Sequence, residues 1–147
     1  MSVVTIKSGI ETRCQAVLGS SYQPLSYVLN VEKNNFKGNT NRFGVIGGSL
    51  EQNEGRGCTG RYTVDQTFTI KFTDSFGQKP TSDTAIVDTM DSMMDNALLL
   101  YKDLVNTNAG TPSIVIMVSD LSIDAPETVD NIVVVTMNVT ITYRKAL

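Results

Sequence analysis

Apolar side chains in residues 3–18 recur at helical spacing, with Val3, Ile6, Ile10, Cys14 and Val17 on one face, Ser2 placed as an N-cap and Gly19 as a stop. Gly9 weakens this helix without ending it. After Pro24 the period changes to two: Leu25, Tyr27, Leu29 and Val31 alternate with Ser26, Val28 and Asn30, which predicts a half-buried strand over 25–31. The clearest alternation covers residues 62–72. There Tyr62, Val64, Phe68, Ile70 and Phe72 share a face interrupted only by Gln66, and Thr63, Asp65, Thr67, Thr69 and Lys71 take the other. The turn Phe76-Gly77-Gln78-Lys79-Pro80 ends this strand, and Thr81, Ser82 or Asp83 caps a long helix over 83–105. Its expected core stripe is Ile86, Met90, Met93, Met94, Ala97, Leu98, Tyr101 and Leu104, opposite Asp88, Asp91, Asp95 and Lys102.

Asn106-Thr107-Asn108-Ala109-Gly110 followed by Pro112 stops that helix, and two β-rich segments follow, over 113–121 and 132–143. In the second, Val133, Val135, Met137, Val139, Ile141 and Tyr143 alternate with Thr136, Asn138, Thr140 and Thr142. Residues 124–130 read as the loop between these antiparallel neighbours. Residues 34–60 break the pattern: seven of the 27 are glycine, with Asn34, Asn35, Asn39, Asn41 and Asn53 interspersed, so the stretch is expected to be one long loop. The elements together predict a single α+β domain over 1–147. Its antiparallel sheet is covered by one long helix, with an additional N-terminal helix and the Gly/Asn-rich loop at 34–60.

Composition narrows the chemistry. The 147 residues are 41% hydrophobic and 18% charged, as in one soluble globular domain large enough to hold a core without disulfide or metal. Apolar runs such as Ile114 to Val118 fall far short of the roughly 20 residues that span a bilayer, so no membrane partner is expected. The opening residues lack the apolar core and cleavage site of a secretory signal, which predicts residence in a cytoplasm. With no histidine, Ser-His-Asp and Cys-His catalysis and every histidine-ligated metal site are excluded. Cys14 and Cys58 match no redox or zinc spacing. The net charge of −3 is unevenly spread: residues 1–79 carry nine Lys/Arg against six acids, and residues 80–147 carry three against nine. An acidic chain of this kind is a poor duplex-DNA binder, because cations supply most of such affinity.

The remaining motifs favour bland readings. Asp88, Asp91 and Asp95 suit a solvated helix face, and Asp120, Asp124, Glu127 and Asp130 lack the spacing of a calcium loop. Gly44-Val45-Ile46-Gly47-Gly48-Ser49 and Gly55-Arg56-Gly57-Cys58-Thr59-Gly60-Arg61 both fail the phosphate-loop pattern. Asn138-Val139-Thr140 matches a glycosylation acceptor but falls inside an expected strand. No catalytic, metal or cofactor residue is assigned, and the chain is expected not to be an enzyme. The 34–60 segment carries Lys37, Arg42, Arg56 and Arg61 beside Phe36, Phe43, Val45, Ile46 and Leu50, apolar residues expected to need a partner to cover them. Phe36, Lys37, Arg42, Phe43, Arg56 and Arg61 are therefore the candidate interface. Long β-branched strands with open edges, and halves of opposite charge, also suit head-to-tail assembly.

The order of N-terminal helix, strand at 25–31, long Gly/Asn loop, strand at 61–73, long helix at 83–105 and two closing strands ending Asn138-Val139-Thr140-Ile141-Thr142-Tyr143-Arg144 resembles the tail terminator proteins of tailed bacteriophages. These are also called tail completion or head–tail joining proteins. The likeness covers nearly all the chain and is one of architecture, so no family residue is carried over. It implies a virion protein assembled in the host cytoplasm, forming a homo-oligomeric ring, usually a hexamer, on the last tail-tube ring. Such a ring stops tube polymerisation and meets the head connector or neck protein, and DNA only passes through its channel. The alternatives are a tail-tube or neck adaptor subunit and, from another class, a small ligand-binding module.

Overall fold

A computed structural model describes residues 2–24, 41–52, 61–75, 83–129 and 132–146. The elements are α1 (Ser2–Leu18), β1 (Tyr22–Pro24), β2 (Asn41–Gln52), β3 (Arg61–Ser75), α2 (Asp83–Thr107), a short turn at Asn108–Gly110, β4 (Val115–Ile123), β5 (Glu127–Val129) and β6 (Ile132–Ala146). The strands form one sheet in the order β1-β2-β3-β6-β4, with β5 also paired to β6. All pairings are antiparallel except the short parallel β1–β2 pair.

The two longest strands, β3 and β6, pair without a register shift from Arg61 opposite Ala146 to Ser75 opposite Ile132. Alternation makes this ladder two-sided. Val64, Phe68, Ile70 and Phe72 of β3 and Val133, Val135, Met137, Val139, Ile141 and Tyr143 of β6 are buried on one face. Ile6, Ile10, Cys14 and Leu18 of α1 and Met93, Ala97, Leu100 and Leu104 of α2 close over that face in one continuous core. α1 lies against β1 and β2, α2 against β6 and β4, and the helices touch each other. The α+β class and the long covering helix agree with the sequence pattern. No helix among the described residues is long and apolar enough to cross a membrane.

Three expectations change. The loop expected at 34–60 contains strand β2, which pairs with β3 along most of its length. Gly44, Gly47 and Gly48 hide the strand by diluting its alternation, and Gly48 is required there, since a Cβ would stand 2.9 Å from the Thr67 carbonyl oxygen. The rest of 34–60 and the strand expected at 25–31 lie outside the described residues. In α2, Leu100 is buried while Leu98, placed on the core stripe by spacing, is 52% exposed. The apolar arc of the helix is wider than the sheet covers. The loop expected at 124–130 holds β5, hydrogen-bonded to β6.

The helix layer is locked at the end of α2. Asn108, Ala109 and Gly110 have φ of 48°, 55° and 73°, left-handed values that turn the chain sharply from α2 towards β4. Gly9 of α1 packs onto this turn so closely that a Cβ would lie 2.5 Å from the Ala109 carbonyl oxygen. Beside it the Arg13 guanidinium donates from Nε and Nη2 to both carboxylate oxygens of Asp103, at 2.7 and 2.6 Å.

Gly9→Ala therefore lowers the thermal midpoint by several degrees: overpacking against backbone costs about 1–3 kcal/mol, more than the helix propensity gain of about 1 kcal/mol. A differential scanning calorimetry midpoint above wild type would show that α1 does not rest on the turn.

Candidate functional site

Among the six candidate interface residues, the structure separates core from surface. Phe43 corrects the expectation: it is 1% exposed, opposite Phe72 in the β2–β3 ladder, and belongs to the core with Val45. Once residues 41–52 form a strand, its alternation sends Phe43 inward. Arg42, one position earlier, is half-buried on the opposite face, its backbone N–H donating to Thr73 Oγ1 at 3.1 Å. Arg61 begins β3, while Phe36, Lys37 and Arg56 lie outside the described residues.

Among the described residues the carboxylates are not gathered. Asp88, Asp91 and Asp95 are exposed on α2, Asp120 occupies an irregularity of β4 at φ 54°, and Asp124 follows that strand. Among the described residues no group of three Cys, Asp or Glu side chains is placed to hold a metal ion. Gly44 to Ser49 is part of β2, so its backbone faces β3 rather than forming an anion cradle. Cys14 is wholly buried, and burial pushes its thiol pKa up, with the charges of Glu11 and Asp103 adding to the shift. Its reactive thiolate is thereby suppressed.

Gly9, Thr12, Arg13, Thr107, Gly110 and Pro112 line an open cleft of about 400 Å³ between the helices. Arg13, the cationic group among its described lining residues, is already held by Asp103, whose hydrogen bond and charge raise the guanidinium pKa. The Thr111 hydroxyl nearby is buried without a hydrogen-bond partner among the described residues. The cleft reads as the joint between α1, α2 and the turn.

The helix-free face of the sheet is a polar surface. Thr63, Asp65, Thr67, Thr69 and Lys71 of β3 face Arg144, Thr142, Thr140, Asn138 and Thr136 of β6 across the ladder. Thr69 donates to Asn138 Oδ1 at 2.7 Å and Thr142 to Asp65 Oδ1 at 2.6 Å, so the array is ordered by its own side chains. At its margin, β4 pairs among the described residues on one side only, with β6. Register shifts in β4 between Val115 and Met117 and between Ser119 and Ser122 break the strict alternation.

Gln66, the one polar interruption in the β3 core face, is 6% exposed. Tyr143 donates its hydroxyl to Gln66 Oε1 at 2.8 Å, and Gln66 Nε2 donates to the Gly48 carbonyl at 3.2 Å, beside the β2 irregularity between Gly47 and Leu50. Its place on an apolar face was the visible signal; its partners came from distant strands. No protein-family model matches the chain, and no curated protein matches it.

Tyr143→Phe leaves Gln66 Oε1 without its donor and lowers unfolding free energy by about 1–3 kcal/mol in urea titration. Unchanged stability would mean that the pair contributes nothing. A pH effect is expected at Tyr22, which lies edge-on to Phe72 at 6.4 Å. Burial, with a smaller push from Asp74, raises its phenol pKa to about 12. Its stabilising contribution is thus intact below the ordinary tyrosine pKa of about 10 and is lost as pH rises from there through the folded value. Tyr22→Phe flattens the fall in stability over that alkaline window, measured against wild type by urea titration at successive pH values.

Proposed function

We propose that this chain is a structural subunit of a bacteriophage tail, forming a homo-oligomeric ring at the head-proximal end that ends tail-tube polymerisation and joins the tail to the head connector. The observation that carries this reading is the one-sided sheet: among the described residues two helices cover one face, and no element covers the polar face or pairs with the outer side of β4. A subunit that meets neighbours around a ring and partners above and below needs such surface on a rigid scaffold, and a long β3–β6 ladder supplies rigidity. The order of N-terminal helix, long strand, long helix and two closing strands, which resembles the terminator proteins, supports the same assignment. Lys37, Arg42, Arg56 and Arg61, in the basic half of the chain, then face acids such as Asp88 or Glu127 on a neighbour, or line the channel.

The test is absolute mass by light scattering over a concentration series, with and without tail tubes. A discrete closed ring, alone or only on tubes, is expected. Growing filaments would assign the chain to the tube itself, and a monomer indifferent to tubes would overturn the ring. Arg42→Glu combined with Arg56→Glu is expected to shift the ring towards monomer, and unchanged assembly would remove those arginines from the contact.

A further inference from the structure

α2 carries its core line twice. Met93, Ala97, Leu100 and Leu104 are buried against the sheet. One residue beyond each of them stand Met94, Leu98, Tyr101 and Val105, so the same spacing recurs, turned by about 100° around the helix axis. Val87, seven residues before Met94, extends this second line. Met94 and Tyr101 are half-buried, whereas Val87, Leu98 and Val105 are 57%, 52% and 39% exposed. Asp103, which holds α1 through Arg13, is one residue before Leu104 and so is turned from the core line by the same angle in the other direction. The second line therefore faces away from α1. Beneath it α2 touches β6 and the edge strand β4, whose Ile116 and Met117 are also exposed.

Charge along the solvent side of this line is divided. Asp88, Asp91 and Asp95 are exposed before Leu98, and Lys102 is exposed after it. Asp95 and Lys102 are seven residues apart, about 10 Å along the axis, beyond the three- or four-residue spacing at which ion pairs form on one helix. Their midpoint falls between Leu98 and Leu99. A two-fold axis through that point sets Asp95 of each copy level with Lys102 of the other, and Met94 of each between Tyr101 and Val105 of the other. The basic end of β6 lies at the C-terminal end of α2, since the Arg144 backbone N–H donates to the Ile114 carbonyl, just past the turn, at 3.2 Å. Reversing one copy against another therefore brings Asp88 and Asp91 towards the end that carries Arg144 and Lys145.

We propose that α2 packs antiparallel against α2 of a second copy of this chain, about a two-fold axis beside Leu98. A line that repeats at alternating steps of three and four residues is what one helix needs to pack along another. The occupant follows from the charges: this flank is complementary to its own reverse, which is the condition for a two-fold, isologous contact. A parallel arrangement would set each aspartate beside its own counterpart, and like charges side by side are unfavourable. Apolar side chains at the centre with charged ones at the rim also match the anatomy of a specific interface. The contact goes beyond the ring reading and does not rest on it. It uses the helix layer, so the polar face on the other side of the sheet stays open to other partners.

Sedimentation velocity of the full chain over a concentration series tests this, with circular dichroism melts to check folding. Wild type is expected as a dimer or, where rings form, as rings joined in pairs. Leu98→Asp puts a carboxylate at the centre of the contact and is expected to weaken it by more than about 100-fold, halving the mass. Asp95→Lys and Lys102→Asp each set like charges opposite one another across the axis and are expected to weaken the dimer by about tenfold. Mixed in equal amounts these two variants pair, because each lysine of one then faces an aspartate of the other, a rescue that only the antiparallel register provides. Wild type that is monomeric throughout, or Leu98→Asp that keeps the wild-type mass, would overturn the contact; single rings that Leu98→Asp leaves unchanged would do so while supporting the ring. Charge variants that dimerise like wild type, or that fail to pair when mixed, would overturn the register. If the melt shows Leu98→Asp to be unfolded, the two charge variants carry the test with the same outcomes.

Discussion

The uninterrupted pairing of β3 with β6 is the constraint from which the other contacts follow. A strand places successive side chains on opposite faces, so a slip of one residue would move every core side chain of one strand to the polar side. The bond between Tyr143 and Gln66 also guards against a slip of two, which would preserve the alternation but separate this buried polar pair on the core face. Gln66 in turn reaches the Gly48 carbonyl, so the position of β2, the least regular of the long strands, is tied to the same pair.

On this two-sided ladder the helices need supply only one further layer. α1 and α2 bury their stripes side by side, and their relative placement is set where Gly9 meets the left-handed turn and Arg13 meets Asp103. Part of the geometry has a cost, since Asn108 and Ala109 adopt left-handed backbone that non-glycine residues disfavour. The close seat of α1 on that turn is what holds it. The same turn directs the chain from the end of α2 into β4, and so decides that the outer flank of the helix and the irregular edge strand share one side of the molecule.

The functional reading grows from what this economy leaves uncovered. Among the described residues, two helices cover one face of the sheet, the other face is a ladder of Thr, Asn and charged side chains, and Ile116 and Met117 of the edge strand β4 are exposed. Among the described residues, Cys14 is sealed in the core, Arg13 is held by Asp103, and the acids of α2 and β4 stand apart on the surface. An assembly protein uses extended surface rather than a convergent cluster, and the fold offers such surface on a rigid frame.

The amino-acid sequence by itself determined the α+β class, α1, β3, α2 and the two closing strands, because each has a strong period of 3.6 or 2 that any packing partner must respect. It also showed Gln66 as an anomaly and the charge difference between the halves. Tertiary structure alone decided the rest. Glycines in 41–52 erase the local period, so that strand exists because β3 offers it a ladder and Phe43 a place in the core. Leu98 and Leu100 have the same side chain but stand about 200° apart around the helix axis, and only the rotation of α2 on the sheet determines which is buried. The candidate interface changed for the same reason: whether an apolar residue is surface or core depends on the neighbouring strand, and that neighbour is brought in from far along the chain.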